Sequence, residues 1–233
     1  MGFLLQIQQA ADTSSLTALT AANPADQTLS LWELALRGGP IMIPIALCSV
    51  ISIYIIVERY FAIRKSSQDD SSLMNNIRDQ ITNGNIDAAR ALCRNTPSPT
   101  SRMIEKGISR IGKPLGDIEK AIENVGNIEV VKLEKGLSLL ATCAAAAPML
   151  GFLGTVTGMI RAFYNMSKAG KTIEIGILSG GMYEAMVTTV AGLIVGIVAL
   201  VGYNLLSAMV QNVVYKMENS SIEFLDLLHE PAK

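Results

Sequence analysis

The 233-residue chain is half hydrophobic, only 17% charged and near neutral, with a formal net charge of −1 and a mean hydropathy of +0.37. That balance leaves no basic footprint for nucleic acid, and a single histidine, His229 close to the end, excludes a His-built metal site or catalytic triad. Cys48, Cys93 and Cys143 are odd in number and scattered, with no CxxC pair, so no disulfide framework is expected.

Residues 1–40 read as a tail with one amphipathic element. Phe3–Ile7 is apolar, but no Lys or Arg precedes it and the run is too short for a signal core. Leu29–Leu36, with Trp32 and Glu33 among leucines, predicts a short interfacial helix ended by Gly38–Gly39–Pro40. Residues 41–57 are uncharged and predict the first membrane span, since about 20 apolar residues cross a core of about 30 Å. Residues 58–136 hold thirteen of the nineteen Lys and Arg and read as a helical domain. Helices are expected over Ser71–Ile81, Ile86–Cys93 and Ser101–Ile111, separated by Asn83–Gly84–Asn85 and Thr96–Pro97–Ser98–Pro99. After Gly112–Lys113–Pro114, apolar Ile118, Ile122, Val125, Ile128, Val131 and Leu133 recur at mostly helical steps and run without a proline into Leu137. The second span, 137–160, is therefore predicted to be the upper half of one long helix. A short loop, 161–176, leads to the third span, 177–204. Leu205, Met209, Val213 and Met217 continue a four-residue stripe into the final helix, 205–233.

No strand-period segments of barrel type are present, so the expected fold is an all-α membrane protein with long extensions of the second and third of its three spans. Arg59, Arg64, Lys65, Lys132, Lys135 and Lys216 flank one membrane face, and Arg37, Arg161, Lys168 and Lys171 the other. The positive-inside rule then puts the N-terminus outside and both 58–136 and the C-terminus in the cytoplasm.

Between Ile177 and Val201, Glu184 is the one residue expected to carry a charge. A charge at membrane depth costs at least about 2.5 kcal/mol, so Glu184 is expected to meet a water-filled path or a partner. Desolvation favours the neutral acid, and a carboxyl poised between its two forms can take and release a proton. On the helical wheel Thr188, Ala191 and Val195 lie within about 40° of Glu184, and Thr189 about 140° away. Gly192 and Gly196, like Gly154 and Gly158 on the second span, form small-xxx-small pairs that bring helices close. Two readings stay open here: a proton carrier, or a structural carboxyl hydrogen-bonded to a neighbouring helix. The threonines can equally bond back to their own helix carbonyls. Arg161, at the end of the second span, reads as an interfacial snorkelling residue, which leaves Glu184 without a counter-group in its own chain.

Enzyme signatures are missing: there is no HExxH, GxSxG or phosphate-binding Gly loop, and an intramembrane protease would need a second carboxylate or a Ser/His pair. No cofactor is expected.

The run Ala147–Pro148–Met149–Leu150–Gly151–Phe152–Leu153–Gly154–Thr155–Val156–Thr157–Gly158–Met159–Ile160 resembles the second-span signature of the MotA/TolQ/ExbB proton-channel family. Gly181–Met182–Tyr183–Glu184–Ala185–Met186–Val187–Thr188–Thr189–Val190–Ala191–Gly192–Leu193 resembles its third-span signature. Three spans, with the large domain after the first, are similar to the ExbB/TolQ branch, and the ExbB side of it in particular. The resemblance implies a homopentameric ring in the bacterial inner membrane, with Glu184 as the pore carboxylate and Thr155 and Thr189, then Thr188, as lining hydroxyls. It also implies an ExbD-type single-span dimer in the pore and a TonB-like protein that receives the work. A TolQ-like role in envelope constriction is the alternative.

Overall fold

The computed structural model describes residues 38–66, 71–168 and 175–229; the tail, Trp32 and the expected interfacial helix lie outside them. Among the described residues the chain is helices joined by short turns, with no strand. The helices are α1 (Met42–Ser66), α2 (Ser71–Thr82), α3 (Ile86–Asn95), α4 (Pro99–Ile108), α5 (Leu115–Glu134), α6 (Leu137–Lys168) and α7 (Ile175–His229).

Three apolar stretches are long enough to cross a membrane, in α1, in α6 and in the first half of α7. The 25 residues of α1 reach about 37 Å at 1.5 Å per residue, enough for the hydrocarbon core. Pro44 falls in its first turn, where a missing N–H costs no helical bond. Arg64 and Lys65 close its last turn, where cations meet the negative end of the helix dipole.

The first two short helices fall within two residues of the expected bounds, whereas α4 runs Pro99–Ile108 rather than Ser101–Ile111, each for local reasons. Gly84 turns the chain between α2 and α3 at φ +77°, a conformation that glycine adopts without strain. Asn85 occupies the N-cap of α3, although its side chain makes no capping bond. Pro99 opens α4 at a position that needs no N–H, and Ser98 and Ser101 form a reciprocal capping box.

Two expectations are corrected. The long helix predicted from Leu115 through the second span is divided at Lys135–Gly136, where Gly136 takes φ +87° and breaks the ladder between α5 and α6. The interval holds no proline, and a glycine supplies the break instead. At the other end, α6 runs on to Lys168 through residues assigned to the connecting loop.

The polar bundle, α2 to α5 with the second half of α7, has a continuous core. Leu206, Val210, Val213, Met217 and Phe224 of α7 are at most 3% exposed and pack with Met103, Ile104 and Ile122. Leu205, expected on this stripe, is 64% exposed; the buried row starts one position later. Phe224 is fully buried, worth about 1.5–3 kcal/mol, and a β-carbon on Gly107 would sit 2.7 Å from its ring.

Glu129 on α5 is 3% exposed and paired twice, with Arg102 of α4 at 2.5 Å and Lys132 at 2.7 Å. Burial pushes its carboxyl up, but the hydrogen bonds and charges of Arg102 and Lys132 outweigh this and hold it below the ordinary carboxylate range. Arg59, near the end of α1, donates to the Lys132 carbonyl and so ties the first span to the end of α5.

Candidate functional site

Helices α6 and α7 run antiparallel, zipped by small residues. A β-carbon on Gly192 would lie 2.6 Å from the Ala147 carbonyl oxygen and 2.9 Å from the Gly151 Cα; one on Gly158 would lie 3.1 Å from the Ala185 Cβ. Gly181 faces Ala162, and Gly196 faces the ring of Pro148. The two helices therefore touch backbone to backbone over several turns, which is what small residues permit where no water drives association. The sequence named Gly154–Gly158 and Gly192–Gly196 as close-approach pairs. All four face the opposite helix, with Gly151 and Gly181 extending the seam.

This register fixes the site. Glu184 stands nine residues into α7, about 14 Å from its start. Its Oε1 accepts a hydrogen bond of 3.1 Å from Nη1 of Arg161 on α6. The side chains are 24% and 49% exposed respectively, so the pair opens on one side. The turn before α1 closes another side. Gly39 takes φ +69°, and a β-carbon there would overlap Glu184 Oε1. Only a glycine lets the chain lie this close to the carboxylate.

The expectation that Glu184 has no counter-group in its own chain is thus overturned. Arg161, read as a snorkelling interfacial residue, is its ion-pair partner. Sequence reasoning missed it because the loop was placed too early. No sequence pattern announces the register: in the structure the antiparallel seam that puts Gly158 on Ala185 brings Arg161, one turn on, to the level of Glu184.

The threonines divide. Thr188 is 1% exposed and wedged against Gly154, with its hydroxyl donating to the Ala185 carbonyl at 2.8 Å. It shares the Glu184 face, as the wheel indicated, and its methyl faces Gly38. Thr189 points across to α6, its hydroxyl 3.1 Å from the Gly151 carbonyl and 3.3 Å from that of Ala185. Thr155, half-buried on α6, turns its hydroxyl back to the Phe152 carbonyl at 2.6 Å. Among the described residues none of the three hydroxyls bonds the Glu184 carboxylate; that role belongs to Arg161. Among the described residues no cluster of three or more His, Cys, Asp or Glu could hold a metal ion.

Chemically, the site is an ion pair beside a backbone-tight helix seam, open on one side. It holds a carboxylate against a guanidinium.

Comparison with known proteins agrees with this geometry. Residues 95–219, which contain the whole α6–α7 seam, match the model of the MotA/TolQ/ExbB proton channel family. The ExbB-like 1 biopolymer transport protein of Synechocystis sp. is 30% identical over 186 residues, 78% of this chain and 73% of that protein. Biopolymer transport protein ExbB of Neisseria meningitidis serogroup A is 25% identical over 189 residues, covering 73% and 84%. Tol-Pal system protein TolQ of Haemophilus influenzae is 34% identical over 113 residues, 48% and 49% of the two chains. The family is one of transport subunits, not of enzymes. With three membrane-length helices, a glycine-zipped second and third span and these relatives, the chain is a multi-pass membrane protein of the MotA/TolQ/ExbB proton channel family.

Proposed function

We propose that this chain is the proton-conducting subunit of an ExbB-type motor. It sits in the bacterial inner membrane with the N-terminus in the periplasm, and the polar bundle and C-terminus in the cytoplasm. Five copies form a ring around a dimer of single-span ExbD-type partners. Protons moving down their gradient pass through Glu184 and an acid on the partner. The stepwise gain and loss of charge moves the partner helices, and a TonB-like protein carries that work to outer-membrane importers. Thr155 and Thr189 serve the path as hydroxyls, and Thr188 sets the base of the Glu184 turn.

The observation that carries this reading is a single glutamate in the third span, paired with an arginine of the second, in a chain of a proton channel family. A charge costing at least about 2.5 kcal/mol at this depth calls for a use beyond packing. Glu184→Gln keeps the shape and removes the titration. It should abolish gradient-dependent import while the ring still purifies with its partner; full import in that variant overturns the motor. A TolQ-like role, with Tol–Pal proteins as clients, is favoured by the 34% match to TolQ over about half the chain. Genes for an ExbD-type and a TonB-like protein beside this one, as against a Tol–Pal set, decide between the two.

A further inference from the structure

Arg161 is the charged side chain at the site for which the proton path gives no role. It stands on α6 seven residues before Lys168, about 10 Å from the helix end. A guanidinium stays protonated at every working pH, so at this depth it must be neutralised from outside. Its five donors include one Nη1 contact to Glu184, and among the described residues it makes no other hydrogen bond or ion pair. Among the described residues the surroundings offer no substitute. Lys168, two turns on, lies over the Tyr164 ring at 4.5 Å. The turn before α1 brings the Gly39 backbone against Glu184. On α7 the adjacent Tyr183 has a buried hydroxyl without a hydrogen-bond partner. Glu184 and Arg161 thus have each other.

We propose that Arg161 is the resident counter-ion of Glu184, a positioning residue that keeps the carboxylate charged and docked beneath Gly39 until a proton displaces it. The charge balance is simple. With Glu184 ionised the pair is neutral; one added proton makes Glu184 a neutral acid and leaves Arg161 with an uncompensated positive charge. The half-exposed guanidinium then faces the open side of the pair, where it attracts an acidic side chain from a neighbouring helix. Each protonation is converted into a new electrostatic demand at the same place. The consequence for a motor rests on the proton-path reading above; the pairing itself does not.

The test separates the two. Hydrophobic carbodiimides modify carboxyls in their protonated form, so the labelling rate of Glu184 in the purified full-length protein in lipid nanodiscs reads proton occupancy without any transport. Removing an opposite charge at this distance favours the neutral acid, discounted here for the exposure of the pair. Arg161→Gln should therefore label at least about threefold faster than the parent at neutral pH, with the two rates converging as the pH is lowered. Arg161→Lys keeps the charge on a shorter donor and should fall between them, and Glu184→Gln should not label at this position. Equal rates for Arg161→Gln and the parent overturn the proposal, as does a slower rate. Where Arg161→Gln fails to assemble, Arg161→Lys decides: labelling no faster than the parent refutes it. Loss of import in Glu184→Gln with unchanged labelling in Arg161→Gln would keep the motor and remove the latch. The opposite pair of results would do the reverse.

Discussion

Replacing Gly192 by alanine adds one methyl group where α6 and α7 cross backbone to backbone. The new carbon would lie 2.6 Å from the Ala147 carbonyl oxygen, 2.9 Å from Gly151 Cα and 3.1 Å from Gly151 N. All three are main-chain atoms, so no rotamer change can relieve the contact. Reaching an ordinary separation of 3.4 Å from 2.6 Å requires the helices to part by about 0.8 Å at this level. The Thr189 hydroxyl is 3.1 Å from the Gly151 carbonyl, one residue's breadth away, and the same movement would carry it beyond hydrogen-bond range. Overpacking of this kind costs about 1–3 kcal/mol and the lost bond about 0.5–1.5 kcal/mol. Alanine returns at most about 1 kcal/mol through its better helix propensity, so the clash wins. Gly180 is the control, with nothing within 4 Å of its hypothetical β-carbon. In thermal melts of the detergent-solubilised protein, Gly192→Ala should lower the midpoint by about 2 °C or more, while Gly180→Ala should leave it level or raise it. A Gly192→Ala melt within about 1 °C of the parent, or a larger loss in Gly180→Ala, would refute the backbone-contact argument.

Further outcomes follow from the same geometry. Gly39→Ala carries a φ of +69° that costs an alanine about 1–2 kcal/mol, and its methyl would occupy the space of Glu184 Oε1. It should free the carboxylate from its dock and raise carbodiimide labelling of Glu184 as Arg161→Gln does; a parental rate would show that the turn is not in contact with the acid. Glu129 behaves differently, because its folded-state carboxyl is held low by Arg102 and Lys132. The stability it adds is present above the unfolded value near 4.5 and is lost as the pH falls through the lower folded value. Glu129→Gln should therefore melt at a lower temperature than the parent near neutrality and lose less on acidification below about pH 4.5. Parallel acid dependences in the two proteins would contradict this assignment.

Most of the scaffold could be read from residue order. Apolar length gave three spans, and Asn83–Gly84–Asn85 and Pro97–Ser98–Pro99 gave the breaks of the polar bundle, because turn and cap preferences act over a few neighbouring residues. The small residues of α6 and α7 gave the seam in kind, though not its register. What escaped was set by tertiary contact. Gly136 sits inside a strong helical period, and only the packing of α1 against the α5–α6 junction, with Arg59 3.6 Å from its hypothetical β-carbon, shows the turn there. Arg161 and Glu184 are 23 positions apart and meet only once antiparallel pairing is known. Gly39 touches the acid across more than 140 residues of chain, and no local pattern announces that. Thr188 could be placed on the Glu184 face by angle alone, but the wheel does not distinguish a face turned to a neighbouring helix from one turned to water. Its 1% exposure decides for the helix.

The single unbroken rod of α7 has a mechanical corollary. Glu184 and Phe224 share it 40 positions apart, about 60 Å at 1.5 Å per residue. No proline interrupts the interval, so bending is costly and leaning is cheap. A pivot of about 10° at the acid would swing the distal aromatic sideways by about 10 Å. Phe224 is clamped among other helices, so such a stroke cannot be absorbed locally; the whole lower bundle must travel with it.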